Sequence, residues 1–364
     1  MLIDIIAGAR PNFMKIAPII HALDAQRARG GPLRYRLVHT GQHYDPRLSG
    51  AFFEQLGIPD ADVNLEVGSG TQAEQTAAIM TRYEALLLAE SSNLCLVVGD
   101  VTSTMACAIA AQKLCVPVAH VEAGIRSGDW TMPEEINRMV TDAITNWFFT
   151  TSQIANQNLH KSGISEDRIF FVGNTMIDTL LVNVARFARP ECAGELGLEP
   201  GDYFVTTLHR PSNVDASDGF ARLLQAIGEA TRGLPVVFPV HPRTQKTLAQ
   251  LPGLPANIKL VDPQPYLEFN WLVKHAKGVI TDSGGITEET TVMGVPCLTL
   301  RNSTERPETV TIGTNELIGT DPVNLKPALD RLFAGNWKQG GIPPLWDGKT
   351  GERIVAHLET LLCA

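Results

Sequence analysis

The chain has 364 residues, 44% of them hydrophobic and 19% charged, with a formal net charge of −9; that length allows two domains with separate cores, and the composition excludes a disordered or fibrous protein. The acidic balance excludes a general nucleic-acid binder, which needs a basic face, and requires any anionic small ligand to be met by local cations and backbone N–H groups. No apolar stretch approaches the roughly 18 residues that cross a bilayer, and Met1-Leu2-Ile3-Asp4 opens into a strand without a basic leader, so a cytoplasmic protein with no membrane partner is expected.

Apolar runs of strand length alternate with helical stretches, the pattern of an α/β protein built on doubly wound parallel sheets. The first strand is predicted over 3–6. It runs into Gly8-Ala9-Arg10-Pro11-Asn12-Phe13-Met14-Lys15 and a helix over 18–29, a setting in which backbone N–H groups and the helix dipole favour an anion. Arg10 and Lys15 add a planar fork and a point charge suited to phosphate oxygens. A second strand covers 37–40. His39 and His43 are spaced like metal ligands, but Gly41 between them breaks the helical geometry that would make the spacing useful, and the six cysteines contain no C-x-x-C pair, so no metal site and no disulfide is expected. Gly68-Ser69-Gly70-Thr71-Gln72-Ala73 fits the loose dinucleotide pattern, yet it follows a weak strand and lacks the acidic residue farther on; it is taken as a loop and the start of a helix over 72–89.

The segment 94–122 is a β-α-β unit: a buried run over 94–98 stopped by Gly99-Asp100, a helix over 102–114, and a run over 116–121 stopped by Glu122. A right-handed crossover makes the strands parallel, so Asp100 and Glu122 fall at strand carboxyl ends, where open α/β sheets bind ligands. Each acid could equally cap the element that follows. Pro133-Glu134-Glu135-Ile136-Asn137-Arg138 then opens a helix, with Glu134 and Arg138 four apart on one face. They form either a structural ion pair or a third carboxylate, Glu134, held by Arg138 beside the other two, an arrangement suited to taking and returning a proton at carbon. A short strand over 147–150 follows.

After Phe170-Phe171-Val172-Gly173 and a helix over 177–188, the Gly- and Pro-rich stretch 189–202 is the expected linker. A second series of strands runs over 203–207, 236–240, 258–261, 278–281 and 296–300. Its first strand ends in Leu208-His209-Arg210-Pro211-Ser212-Asn213, echoing the loop that carries Arg10. Asp282-Ser283-Gly284-Gly285-Ile286-Thr287-Glu288-Glu289 enters a helix; its glycines admit a ligand to the backbone, Ser283 and N–H groups can hold a diphosphate, and one of the two glutamates can accept the hydroxyls of a ribose. Thr304-Glu305-Arg306-Pro307-Glu308 brings a guanidinium to the same edge. An amphipathic final helix over 351–362 packs on a domain surface.

In order along the chain, Gly8-Ala9-Arg10-Pro11 with Lys15, Gly99-Asp100, His120-Val121-Glu122-Ala123-Gly124, Pro133 to Arg138, Gly173-Asn174-Thr175, His209-Arg210, Asp262-Pro263-Gln264, Asp282-Ser283-Gly284-Gly285 and Glu305-Arg306-Pro307-Glu308 resemble the non-hydrolysing UDP-N-acetylglucosamine 2-epimerase family. The resemblance implies a GT-B fold: two Rossmann-like domains facing a central cleft, here 1–170 and 171–349 with the helix 350–364 packing back on the first, in a homodimer. It implies reversible inversion at C2 of UDP-N-acetylglucosamine through loss and re-addition of UDP, with no cofactor. Asp100, Glu122 and Glu134 match the family's acid/base carboxylates and His209 its histidine near the departing diphosphate. Arg10, Lys15, Gln264, Phe269, Ser283, Gly284, Gly285, Glu289 and Arg306 match contacts to the nucleotide-sugar, with Arg138 holding the acids. Pro211 stands where many bacterial members carry a second arginine, the segment between Gly128 and Pro133 is shorter, and their activating site draws on that arginine and on a Gln-His segment matched only in part by Gln42-His43. A glycosyltransferase using a UDP-sugar, a sibling epimerase acting on a UDP-diacetamido-uronate, and a non-catalytic nucleotide-sugar sensor are the alternatives.

Overall fold

Runs of apolar residues that are buried on both faces build two parallel sheets, each in its own compact unit. The computed structural model describes residues 1–41, 55–210, 213, 217–240, 242–251 and 253–363, with Arg10, Ser217, Pro242 and Arg243 described by their backbone alone. The first unit comprises Met1–Val182 with Pro344–Ala364, and the second Asn183–Pro343. The chain therefore divides after Val182 rather than at residue 170, because the helix Thr175–Asn183 buries Met176, Ile177 and Leu180.

The first unit holds β1 (Leu2–Ala7), β2 (Arg34–His39), β3 (Val63–Asn64), β4 (Leu94–Val98), β5 (Val118–Val121), β6 (Trp147–Thr150) and β7 (Ile169–Phe171). They lie in the order β3-β2-β1-β4-β5-β6-β7, every neighbouring pair parallel. The order reverses between β1 and β4, the topological switch point at which such sheets take ligands. All five residues of β4 are buried. Asp4 in β1 is buried too, and its charge is met by Arg36 through two bonds of 2.8 and 2.9 Å and by the Tyr83 hydroxyl at 2.9 Å. The helix Thr102–Lys113 is rich in alanine, so Ala106, Ala108, Ala110 and Ala111 pack closely with Val97, Val118 and the helix Gln72–Ala89. That second helix begins at Thr71, whose hydroxyl accepts the Glu74 N–H while the Glu74 carboxylate accepts the Thr71 N–H. The Gly68-Ser69-Gly70 stretch thus leads into an ordinary capping box.

The second unit holds β8 (Phe204–Thr207), β9 (Val236–Pro239), β10 (Ile258–Val261), β11 (Gly278–Thr281), β12 (Cys297–Thr299) and β13 (Asn315–Leu317), in the parallel order β10-β9-β8-β11-β12-β13. Its switch point lies between β8 and β11. One core forms around Phe204, Phe220, Phe238 and Leu329, and another around Tyr203, Val205, Leu272 and Val279. The stretch 189–202 is not a bare linker: it contains the helix Glu191–Glu195 and sends Ala193 and Leu198 into the second of these cores. Among the described residues, no helix is long and apolar enough to cross a membrane.

Candidate active site

In the first unit, the loop after β1 is pinned to the end of β4. A Cβ on Gly8 would stand 2.0 Å from Ser103 Oγ, so only glycine lets the loop close against the helix Thr102–Lys113. The buried Asn12 accepts the N–H groups of Gly8 and Ala9 through Oδ1 at 3.1 and 3.0 Å and donates Nδ2 to the Val98 carbonyl at 3.1 Å. Arg10 is the first residue of the helix Arg10–Ala28. Lys15, on that helix, reaches the end of β5, where its Nζ lies 2.6 Å from Glu122 Oε2. Gly99 leaves the room for this, since a Cβ there would sit 2.9 Å from Lys15 Nζ.

Glu122 itself has φ +69°, in the left-handed region that costs a non-glycine residue about 1–2 kcal/mol. The conformation is held by the N–H groups of Glu122 and Ala123, which both donate to the Phe149 carbonyl at 3.0 and 3.2 Å. Asp100, at the end of β4, accepts Arg138 Nε at 3.0 Å and Nη2 at 2.5 Å on Oδ2, while Asn137 donates to its carbonyl at 2.8 Å. The Glu122 side chain is 2% exposed and that of Asp100 28%, which makes Asp100 the more open acid.

Arg138 grips Glu135 on its own helix, at 2.8 Å, rather than Glu134. The reason is tertiary: Glu135 accepts the backbone N–H groups of Ser127 and Gly128 at 2.9 and 3.0 Å, which fixes it beside the guanidinium. Burial works against its charge, but the bonds from Ser127, Arg138 and Gly128 hold its carboxyl below the usual range. Glu134 is half-buried and stands outside this network. Each of the two acids at the strand ends therefore carries its own cation, Lys15 for Glu122 and Arg138 for Asp100, instead of three carboxylates sharing one arginine.

Behind these ends lies a buried pair of residues from β5 and the helix Pro133–Ile144. His120 in β5 is fully buried and donates Nε2–H to the Gly99 carbonyl at 2.8 Å; its Nδ1 is 2.7 Å from Asp142 Oδ1. Asp142 also accepts the Gly124 N–H at 3.1 Å and meets Arg126 at 2.7 Å; burial opposes its charge, but His120 and then Arg126 hold its carboxyl low. A histidine inside an apolar strand run was the available signal. His39 is buried, stacked on Phe13 at 5.5 Å, and accepts the Gly41 N–H. Gln42 and His43 lie outside the described residues.

In the second unit, the Thr207 and Thr281 hydroxyls meet at 2.6 Å where β8 and β11 end. Asp282, fully buried, accepts the N–H groups of His209 and Arg210 and the Asn213 amide at 3.0–3.2 Å, and its Oδ1 lies 2.8 Å from His209 Nδ1. Burial opposes the Asp282 charge, but His209, Asn213 and Arg210 together hold its carboxyl below the usual range. The His209 side chain is 57% exposed. Pro211 and Ser212 lie outside the described residues.

Ser283, Gly284 and Gly285 are half-buried at the start of the helix Gly284–Met293. A Cβ on Gly284 would meet nothing closer than Glu305 Oε2 at 3.8 Å, so packing within the unit does not demand glycine there; close approach of a ligand would. Arg306 pairs with Glu288 at 2.6 Å, and Arg301, absent from the sequence reading, clasps Glu305 through two bonds of 2.7 and 2.8 Å. Glu289 is buried beside Tyr266 and Asn270, but its Oε1 has no donor at proper distance and angle among the described residues. Burial first, then the charge of Glu288, pushes its carboxyl up to about 7. Gln264 lines an open pocket of about 530 Å³ with Asp262, Val240 and Gln245, and donates to the Asp262 carbonyl at 2.8 Å. Phe269 is half-buried, packed against the core around Tyr203 and Leu272.

Chemically, the first unit offers two cation-paired carboxylates at adjacent strand ends, competent for proton transfer, and the second an exposed imidazole beside a helix N-terminus suited to an anion. The family model described as UDP-N-acetylglucosamine 2-epimerase matches residues 26–359. The UDP-N-acetylglucosamine 2-epimerase of Methanocaldococcus jannaschii is 41% identical over 98% of this chain and 99% of its own. The crystal structure of that species' enzyme in complex with UDP-GlcNAc and UDP superposes with a TM-score of 0.87 at 40% identity, covering 99% of this chain and 100% of the other. The UDP-2,3-diacetamido-2,3-dideoxy-D-glucuronate 2-epimerase of Pseudomonas aeruginosa is 40% identical over 88% of each chain. Two Rossmann-like units with these strand orders and this likeness define a GT-B fold. The chain belongs to the UDP-N-acetylglucosamine 2-epimerase family.

Proposed function

We propose that this protein interconverts UDP-N-acetylglucosamine and UDP-N-acetylmannosamine. The observation that carries the reading is the end-to-end match to the M. jannaschii enzyme, joined to cation-paired acids at the ends of β4 and β5. The match to the diacetamido-glucuronate enzyme covers less of the chain, 88% against 98%, which favours the N-acetylglucosamine substrate.

A hydrogen on C2 beside an acetamido group is only weakly acidic, so its removal needs a positioned base and a well-stabilised leaving group. In the proposed reaction a carboxylate among Asp100, Glu122 and Glu134 takes the C2 proton, the C1–O bond breaks with its electron pair staying on the diphosphate, and a C1–C2 double bond forms. UDP then adds back at C1 while a second acid returns a proton to the opposite face of C2. Arg10, Lys15 and Arg306 would balance diphosphate charge, the N–H groups at Ser283, Gly284 and Gly285 would bind its oxygens, and His209 would meet the departing oxygen. Gln264 and Phe269 would receive the base, Glu289 the ribose, and Arg138 would hold Asp100 in place.

Incubation with UDP-N-acetylglucosamine in heavy water tests this. Deuterium at C2, a gluco and manno mixture, and traces of UDP with 2-acetamidoglucal are expected. Absence of exchange would sink the proposal, and exchange only with a diacetamido-uronate substrate would reassign it.

A further inference from the structure

We propose that Asp282 is a positioning residue for His209, and that the two act as one unit on the leaving diphosphate; this rests on the epimerase reading above. Asp282 lies at the switch point of the second sheet, one residue past β11, and no solvent reaches it. Its carboxylate gathers four contacts from the loop after β8: the backbone N–H groups of His209 and Arg210, the Asn213 amide, and His209 Nδ1 at 2.8 Å. The first three fix the path of the loop. The fourth fixes the ring.

A carboxylate can only accept, so the short contact requires a proton on Nδ1. With Nδ1 tied inward, Nε2 is the ring atom that the exposed side chain can present to a ligand. Backbone bonds to Asp282 from both His209 and Arg210 prevent the ring from swinging with its loop. When the C1–O bond breaks, negative charge develops on the departing diphosphate oxygen. A ring protonated on both nitrogens donates Nε2–H to that oxygen, and Asp282 balances the ring's charge throughout. On re-addition the hydrogen bond weakens as the electron pair returns to form the C1–O bond. No proton is consumed and no other reactant is needed. The same division of labour, an acid that orients and a histidine that acts, governs hydrolytic triads, where replacing the acid by its amide leaves the geometry but costs a factor of about ten thousand in kcat.

The test is a double-mutant cycle in the full-length protein, with epimerisation followed by C2 deuterium uptake and UDP affinity by calorimetry. Asp282→Asn is expected to lower kcat by roughly a hundredfold or more while KM and the UDP Kd change by less than about threefold. In the His209→Ala background the same change should cost almost nothing further, because the residues act as a unit. A merely structural aspartate would cost about the same in both backgrounds, and that result, or wild-type turnover by Asp282→Asn, overturns the proposal. Should the variant fail to bind UDP, the imidazole nitrogen resonances of His209 in the unmodified protein with UDP bound decide: protons on both Nδ1 and Nε2 support it, and a bare Nδ1 or a bare Nε2 overturns it. If the unmodified protein shows no C2 exchange, the epimerase reading fails first and separately.

Discussion

Glu288 and Glu289 are neighbours in one helix, yet their surroundings differ completely. Glu288 pairs with Arg306, which arrives from the loop after β12, whereas Glu289 is buried with no ion-pair partner among the described residues and its carboxyl rises to about 7. Sequence alone could not divide the two, because the arginine that claims one of them comes from another element. The elevated value has a definite thermodynamic sign. Between the ordinary carboxyl value of 4.5 and about 7, the folded protein keeps a proton that the unfolded chain has lost, so stability must fall as pH rises through that window. The contribution is fully present below 4.5 and gone above 7, a change on the order of 3 kcal/mol. Urea unfolding at several pH values across the window should show the decline in the unmodified protein and a flatter profile in Glu289→Gln. Parallel profiles would mean that Glu289 is not held protonated in the fold.

At the scale of elements, the contact between the helices Arg10–Ala28 and Thr350–Cys363 is set by one missing side chain. A Cβ on Gly351 would stand 2.4 Å from the Pro18 carbonyl oxygen and 2.7 Å from its carbon, backbone atoms that cannot turn aside. The same glycine donates its N–H to the buried Asp178 carboxylate at 2.8 Å, which caps the final helix. Gly351→Ala is expected to lose about 1–3 kcal/mol through overpacking and to speed amide exchange across 350–363; an unchanged midpoint in urea would refute the contact. The apolar strands were legible in sequence because burial on both faces leaves continuous runs, as in β4, and the glycine and acids after them marked their ends. β13 was not, since Asn315–Leu317 is short and only Asn315 is buried, paired with the Thr299 hydroxyl. The partner of Arg138 is hidden from the sequence for a related reason. Spacing on a helix offers both the third and the fourth neighbour, and the loop at Ser127 and Gly128 chooses Glu135. Asp100 and Glu122 could be found because strand ends are a local signal, whereas the bond from Asp282 to His209 joins residues 73 apart.

At the scale of the whole molecule, the chain leaves its first unit after Val182, builds the second, and returns at Pro344 to complete the first. The return is not decorative. Trp346 is among the largest fully buried side chains, its indole N–H donates to the Thr151 carbonyl at 3.1 Å, and Ile354 and Leu358 of the last helix are fully buried. Gly173 makes the same point from the other side, since a Cβ there would lie 2.2 Å from the Leu345 carbonyl. A periodic apolar face marked the last helix in sequence, but nothing local in 344–349 announced that a tryptophan would be buried beside β6. Truncation after residue 343 should therefore act on one unit only. Loss of Trp346 alone removes about 3–5 kcal/mol of packing. Amides of β1 and β6 should consequently exchange at least a hundredfold faster, while those of β8 and β11, whose cores contain nothing from 344–363, keep their rates. Exchange that accelerates equally in both sheets would show that the units unfold as one, and exchange unchanged in both would show that the returning segment contributes nothing to the first core.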